Sequence, residues 1–301
     1  RSSPTQISSA PVWNTLYGSG GTNGGSIHVG AAKDPGTLWM WGDNGDGELG
    51  QNTKNSPSNS GFSSPVQVPG TNWATVSFSA RQTLATKTDG TLWAWGADRS
   101  GNKGTNTNGV DYSSPIQIPG GGFSQVSLGG NTIMALKTNG TLWSWAYNGF
   151  GMAGQNNRTT YSSPMQIGGG TDWAYCLAAN YLSAAIKTDG TLWIWGDNRY
   201  GQLGLNTGGT GSAYSSPTQI PGTTWSKIVP ITNTATSVDK GCAAIKTDGT
   251  LWAWGQNDYG QLGFTSGGDA RSSPVQIPGT NWVADGLSGR KIGVTALRSQ
   301  S

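Results

Sequence analysis

Short segments in which apolar and polar residues alternate recur along the whole chain, cut apart by Gly, Pro and Asn. Within one stretch they are Trp73-Ala-Thr-Val-Ser-Phe78, Thr83-Leu-Ala-Thr-Lys87, Thr91-Leu-Trp-Ala-Trp-Gly96 and Ser114-Pro-Ile-Gln-Ile118. Period-two alternation over five or six residues bounded by turn formers predicts strands, and the stretch therefore predicts four of them. In Leu92-Trp93-Ala94-Trp95 the indoles stand two residues apart and share one face, while Leu92 and Ala94 share the other. With large apolar groups on both faces, such a sheet must be covered on both sides.

The same block returns at a near-constant interval. Asp34-Pro-Gly-Thr-Leu-Trp39, Thr88-Asp-Gly-Thr-Leu-Trp93, Thr138-Asn-Gly-Thr-Leu-Trp143, Thr188-Asp-Gly-Thr-Leu-Trp193 and Thr247-Asp-Gly-Thr-Leu-Trp252 place their tryptophans 54, 50, 50 and 59 residues apart. A period of that size, with four strands in each unit, is the signature of a β-propeller blade. The Asp-Gly or Asn-Gly pair is expected to join the second and third strands through a two-residue loop with positive φ at both central positions. The pairs Trp39/Trp41, Trp93/Trp95, Trp143/Trp145, Trp193/Trp195 and Trp252/Trp254 are read as core, a carbohydrate-stacking platform being the competing reading.

After each third strand comes a glycine-rich turn: Gly42-Asp-Asn-Gly-Asp-Gly-Glu-Leu-Gly50, Gly196-Asp-Asn-Arg-Tyr-Gly-Gln-Leu-Gly204 and Gly255-Gln-Asn-Asp-Tyr-Gly-Gln-Leu-Gly263. Together with the Asp-Gly-Thr-Leu-Trp hairpin, this pattern resembles the RCC1-type repeat over essentially the whole chain. His28 resembles the family's histidine ahead of the second strand, where other units carry Gln82, Thr132, Leu182, Gly241 and Gly293. The resemblance implies an all-β, RCC1-like propeller of four-stranded blades.

Ser-Ser-Pro occurs six times, ending at Pro4, Pro65, Pro115, Pro164, Pro217 and Pro274, against five Trp-x-Trp strands. The expectation is one domain over 1–301, with units at about 8–65, 66–115, 116–164, 165–217, 218–274 and 275–301. In that reading residues 1–7 complete the sixth blade, with Trp282 to Arg298 supplying inner strands and Ser2 to Ile7 the outermost. The alternative is part of a seven-bladed ring.

Composition narrows the function. Charged residues are 11% of 301, against about 25% in an average soluble protein, and 49 glycines with many Ser, Thr and Asn take their place. Net charge is +3 without a Lys/Arg run, so no nucleic-acid partner is expected. No stretch approaches the roughly 20 apolar residues of a membrane span. Cys176 and Cys242 occupy positions that small or apolar residues hold in other units. They read as buried free thiols, with a bridge between neighbouring units as the alternative.

Candidate chemistry is sparse. One histidine, no Ser-His-Asp arrangement and no Cys/His spacing leave neither catalytic residues nor a metal or cofactor site to nominate. Asp43-Asn-Gly-Asp46-Gly-Glu48 reads as a turn and not as a calcium loop. Asn139-Gly-Thr and Asn157-Arg-Thr match the glycosylation sequon, although Asn139 also fills the hairpin position of Asp.

Function in a repeat fold is sought where units differ on a fixed frame. Just before the turn glycine the units carry Asp46, Ser100, Phe150, Tyr200 and Tyr259, preceded by Gly45, Arg99, Gly149, Arg199 and Asp258. Before Ser-Ser-Pro they carry Arg1, Phe62, Tyr112, Tyr161, Tyr214 and Arg271. Aromatic and Arg residues favour interfaces, so Arg99, Phe150, Arg199, Tyr200, Tyr259, Tyr112, Tyr161 and Tyr214 are the candidate partner-binding residues. Local packing over the blade edge is the competing reading.

The expected function is a non-catalytic binding or structural module, extracellular or displayed on a virus particle as a phage tail or fibre component or secreted surface protein. Its partner would be a protein or a cell-surface glycan, or other subunits of a larger assembly. The resemblance adds two alternatives, a nucleotide exchange factor for a small GTPase and a secreted enzyme inhibitor.

Overall fold

The computed structural model describes residues 13–18, 28–33, 36–54, 61–79, 81–130, 132–208, 212–232, 238–264, 268, 270–290 and 293–298. Five four-stranded antiparallel sheets follow one another, each with its strands in chain order. The first has β1 Trp13–Gly18, β2 His28–Lys33, β3 Thr37–Gly42 and β4 Phe62–Gln67; the second β5 Trp73–Ser79, β6 Gln82–Lys87, β7 Leu92–Gly96 and β8 Tyr112–Ile118. The third has β9 Phe123–Leu128, β10 Thr132–Lys137, β11 Leu142–Ala146 and β12 Tyr161–Gln166; the fourth β13 Trp173–Ala178, β14 Leu182–Lys187, β15 Leu192–Asp197 and β16 Ala213–Gln219. The fifth has β17 Trp225–Thr232, β18 Asp239–Lys246, β19 Leu251–Gly255 and β20 Arg271–Ile277, and a sixth sheet pairs β21 Trp282–Arg290 with β22 Gly293–Arg298. The expected outer strand Ser2 to Ile7 lies outside the described residues. Two compact units are present: residues 1–98 with 109–123, and residues 99–108 with 124–301.

The hairpins stand where expected, but their turn differs. Gly90 N donates to Lys87 O and Lys87 N to Thr91 O, and Gly90 has φ +79° while Asp89 is not among the positive-φ residues. This is a three-residue loop, a type I turn closed by a left-handed glycine, and it repeats at Gly140, Gly190 and Gly249. The Asp side chain decides it. Asp89 Oδ1 accepts from both Thr91 N and Thr91 Oγ1, and Thr91 Oγ1 accepts from Trp93 Nε1 at 2.9 Å. Asn139, Asp189 and Asp248 build the same ladder.

Within each unit, the Leu/Ile face of one sheet packs on the indole face of the next. Leu192, Ile194, Leu203 and Ile220 meet Trp225, Cys242, Ala244 and Trp254. In the other unit Leu38, Met40, Leu49 and Val68 meet Trp73, Ala85 and Trp95. Trp95, Trp145, Trp195 and Trp254 are fully buried, and each indole N–H donates to a main-chain carbonyl of the preceding repeat's turn, those of Glu48, Asn102, Met152 and Gln202, at 2.7–3.1 Å. Each buried donor thus keeps the partner it would lose on leaving water. The other tryptophan of each pair is half-buried. Cys176 and Cys242 are free and buried, and burial pushes the Cys176 thiol up to about 12.

One backbone position is out of step with its neighbours. Ahead of the first strand, Asn72 and Asn281 take φ +65° and +67°, but the fifth sheet has Thr224 at φ +68°. A β-branched residue fits that region poorly, whereas Asn enters it readily. Thr224→Asn is therefore expected to stabilise the second unit by about 1 kcal/mol. Urea denaturation checks this, and an unchanged or lower midpoint would refute it.

Candidate functional site

In four of the five repeats the turn after the third strand is held by one buried Asn, and in the second sheet Asp98 takes that position. Asn198 Oδ1 accepts Leu203 N at 3.0 Å and its Nδ2 donates to Thr207 O at 2.9 Å; Asn44, Asn148 and Asn257 accept likewise from Leu49, Ala153 and Leu262. The Gln or Glu after the turn glycine accepts from the main chain two residues earlier, Gln202 from Tyr200 N, Gln261 from Tyr259 N and Glu48 from Asp46 N. These bonds fix the loop backbone, so the two residues between the Asn and the glycine project from a rigid frame.

The second unit brings two such turns into one cluster. The Arg199 guanidinium carbon lies 4.8 Å from the Phe150 ring centre and 6.0 Å from that of Tyr200, and Lys240 Nζ sits 4.6 Å from the Tyr200 ring. Phe150 meets Tyr181 edge-on at 5.3 Å. Cation and ring alternate along this strip, an arrangement in which each ring face is electrostatically satisfied. Arg199 is also fixed from below, its Nε and Nη2 donating to the fully buried Asp197 carboxylate at 2.8–3.0 Å. Those hydrogen bonds raise the Arg199 pKa further. Nearby, buried Asp239 accepts from Tyr181 N and Thr232 Oγ1, and desolvation pushes its carboxyl up to about 6.

The sequence-nominated residues separate into two groups. Arg99, Phe150, Arg199, Tyr200 and Tyr259 all stand on these turns; Arg99 is exposed, Tyr200 is 37% exposed and Tyr259 76%. Tyr112 and Tyr161 begin outer strands and Tyr214 is the second residue of its own, all half-buried opposite Gly96, Ala146 and Gly196. There the register shifts at a bulge and the third strand has positive φ. Tyr161 Oη accepts from Asn157 Nδ2, and Tyr214 Oη shares a hydrogen bond with Thr207 Oγ1.

Sequence reasoning missed the partners. Arg81 and Tyr181 stand just ahead of second strands and Lys240 is the second residue of β18, and each touches the turn residue of the preceding repeat. Arg81 bonds Asp46 at 3.0 Å in the first unit, while Tyr181 meets Phe150 and Lys240 meets Tyr200 in the second. The available signal was matched variation, because Asp faces Arg, Phe faces Tyr and Tyr faces Lys. Among the described residues, no group of three or more His, Cys, Asp or Glu is placed to hold a metal ion. No helix among them is long and apolar enough to cross a membrane.

The family model for the Regulator of chromosome condensation (RCC1) repeat matches residues 35–86, 189–232 and 248–291. The chain has an RCC1-like β-propeller fold. Its repeats match human WBSCR16 with a TM-score of 0.73 at 19% identity, covering 91% of this chain and 70% of that one. Yeast RCC1 (Prp20), solved bound to Kap60, matches with a TM-score of 0.70 at 20% identity over 88% of this chain and 63% of its own. Prp20p from Saccharomyces cerevisiae, described with its binding to Gsp1p and histones, matches at 0.59 and 16% identity over 92% and 82%. No curated protein matches the sequence.

Proposed function

We propose that this RCC1-repeat propeller is a non-catalytic recognition module that binds a protein partner through the turns carrying Arg99, Phe150, Arg199, Tyr200 and Tyr259. The observation that carries the reading is Tyr259, a large ring 76% exposed on a turn whose backbone is hydrogen-bonded in place. Rigid aromatic groups lose little conformational entropy on binding and anchor interfaces well. A protein of this fold, yeast RCC1 (Prp20), is solved with Kap60 bound to it. The low-charge surface of hydroxyls and amides supports display outside the cell or on a virus particle.

The test is isolation of the native particle, followed by affinity measurement for the protein recovered with it. Tyr259→Ala and Tyr200→Ala should each weaken binding at least about fivefold, or about 1 kcal/mol. Wild-type affinity in both variants would remove the rim from the interface. The fold shared with yeast RCC1 supports a second reading, nucleotide exchange on a small GTPase. Faster release of labelled nucleotide from such a GTPase would replace the first reading with the second.

A further inference from the structure

A cleft of about 520 Å³ lies in the second unit, lined among others by Tyr214, Gln219, Trp225, Lys246, Trp252 and Ser273 and by none of the exposed rim side chains Arg199, Tyr200 and Tyr259. Two hydrogen-bond donors in its wall lack acceptors. Trp225 is only 3% exposed, and its Nε1 has no hydrogen-bond partner. Lys246 Nζ sits 4.7 Å from the ring centres of both Trp225 and Trp252, and among the described residues no carboxylate lies within ion-pairing distance of it. A Cβ placed on Gly222 would stand 3.4 Å from Lys246 Nζ and 3.8 Å from Trp225 Nε1, so both donors open onto one space. A buried donor without an acceptor is costly, and a ligand that supplies one recovers that cost.

The preceding repeat shows what chemistry fits. There Lys187 lies 5.0 and 5.2 Å from the rings of Trp173 and Trp193, and the chain itself provides a carboxylate, Asp172, at 3.1 Å from Lys187 Nζ. Thr224 stands at the equivalent place in the fifth sheet, since Asp172 O accepts from Thr188 N and Thr224 O accepts from Thr247 N, each at 2.8 Å. The acid present in one repeat is missing from the next, and there the cleft lies open.

We propose that this cleft binds an acidic sugar residue of a glycan, of the uronic acid class. The sugar carboxylate pairs with Lys246 Nζ as Asp172 pairs with Lys187 next door, and it also accepts from Trp225 Nε1, a bond that Asp172 does not make with Trp173. Its pyranose ring lies against the half-buried rings of Trp252 and Tyr214, and Gln219 and Ser273 meet its hydroxyls. A small concave site with aromatic faces and a few directed polar groups suits one sugar ring. Lys246 is the one cation in the lining, which matches a single carboxylate and not a run of acidic side chains.

The probe is tetragalacturonate, followed by indole N–H NMR shifts and titration calorimetry on the whole chain. It should shift the Trp225 indole signal. Both Thr224→Asp, which builds in the missing acid as Asp172 does, and Lys246→Met, which keeps the apolar stem between the indoles, should weaken binding at least about tenfold. The neutral maltotetraose should bind at least about tenfold more weakly than tetragalacturonate. Tyr200→Ala and Tyr259→Ala should bind it as wild type does, which separates this site from the rim. No indole shift at millimolar tetragalacturonate, or unchanged binding by a folded Thr224→Asp, overturns the proposal. Equal or tighter binding of tetraglutamate would overturn the sugar assignment.

Discussion

Replacing Gly204 with alanine is expected to destabilise the second unit by about 3 kcal/mol. Two costs add. Gly204 has φ +67°, where a side chain costs roughly 1–2 kcal/mol. Its new Cβ would also stand 2.8 Å from Nε1 and 2.9 Å from Cδ1 of Trp254, closer than such atoms approach. The indole has nowhere to go, being fully buried and bonded to Gln202 O at 2.9 Å. Overpacking of a rigid core costs about 1–3 kcal/mol. Gly263 supplies the control, because its φ is +76° but the nearest atom to its Cβ would be Ile277 Cδ1 at 3.6 Å. Gly263→Ala should therefore lose only the backbone part, about 1–2 kcal/mol. Equal losses in the two variants, measured by urea denaturation, would show that the indole contact carries no steric cost.

The second large effect depends on pH and belongs to the first unit. His28 is fully buried in register with Gly42, its ring edge-on to Phe78 at 5.1 Å, and desolvation lowers its pKa from 6.5 to about 4 against a smaller opposing pull from Asp43. Between those two values the unfolded chain binds a proton that the folded chain refuses. Stability is thus intact above pH 6.5 and is lost as pH falls toward 4, by up to about 3 kcal/mol. Asp239 works in the opposite sense in the second unit: its carboxyl, raised to about 6, makes stability fall as pH rises from 3.8 through 6. The measurement that isolates His28 is the difference between wild type and His28→Gln, because both keep Asp239. Gln82 already occupies the matching position of the second sheet, buried and in register with Gly96. The stability difference should grow in favour of the variant between pH 6.5 and 4. A difference independent of pH in that interval would mean that His28 is protonated in the folded chain.

Much of the fold was legible because its causes are local. Alternation, the Thr-Asp-Gly-Thr hairpins and the positive-φ glycines act within a few residues, and repetition multiplied each signal. The turn type was the local feature misread. Asp89 and its counterparts were assigned the left-handed region, but their carboxylates accept from Thr91 N and Oγ1 and hold them out of it, leaving only the glycine there. At the candidate site, the variable turn residues could be found by comparing repeats. Their partners carried only the faint signal of matched variation, because Arg81 reaches Asp46 across 35 residues of chain and only the stacking of one sheet on the next brings them together.

The sequence by itself determined the repeat, its strands and hairpins, and the rim positions at which units differ, since backbone propensity and side-chain alternation are read one short segment at a time. Tertiary structure alone decided that Phe150, Arg199, Tyr200 and Lys240 form one strip, that Tyr214 lines a cleft while Tyr259 stands in solvent, and that Trp225 keeps an unmet donor beside Lys246. Those facts depend on distances between sheets, which packing of the Leu/Ile faces against the indole faces sets and no single repeat encodes.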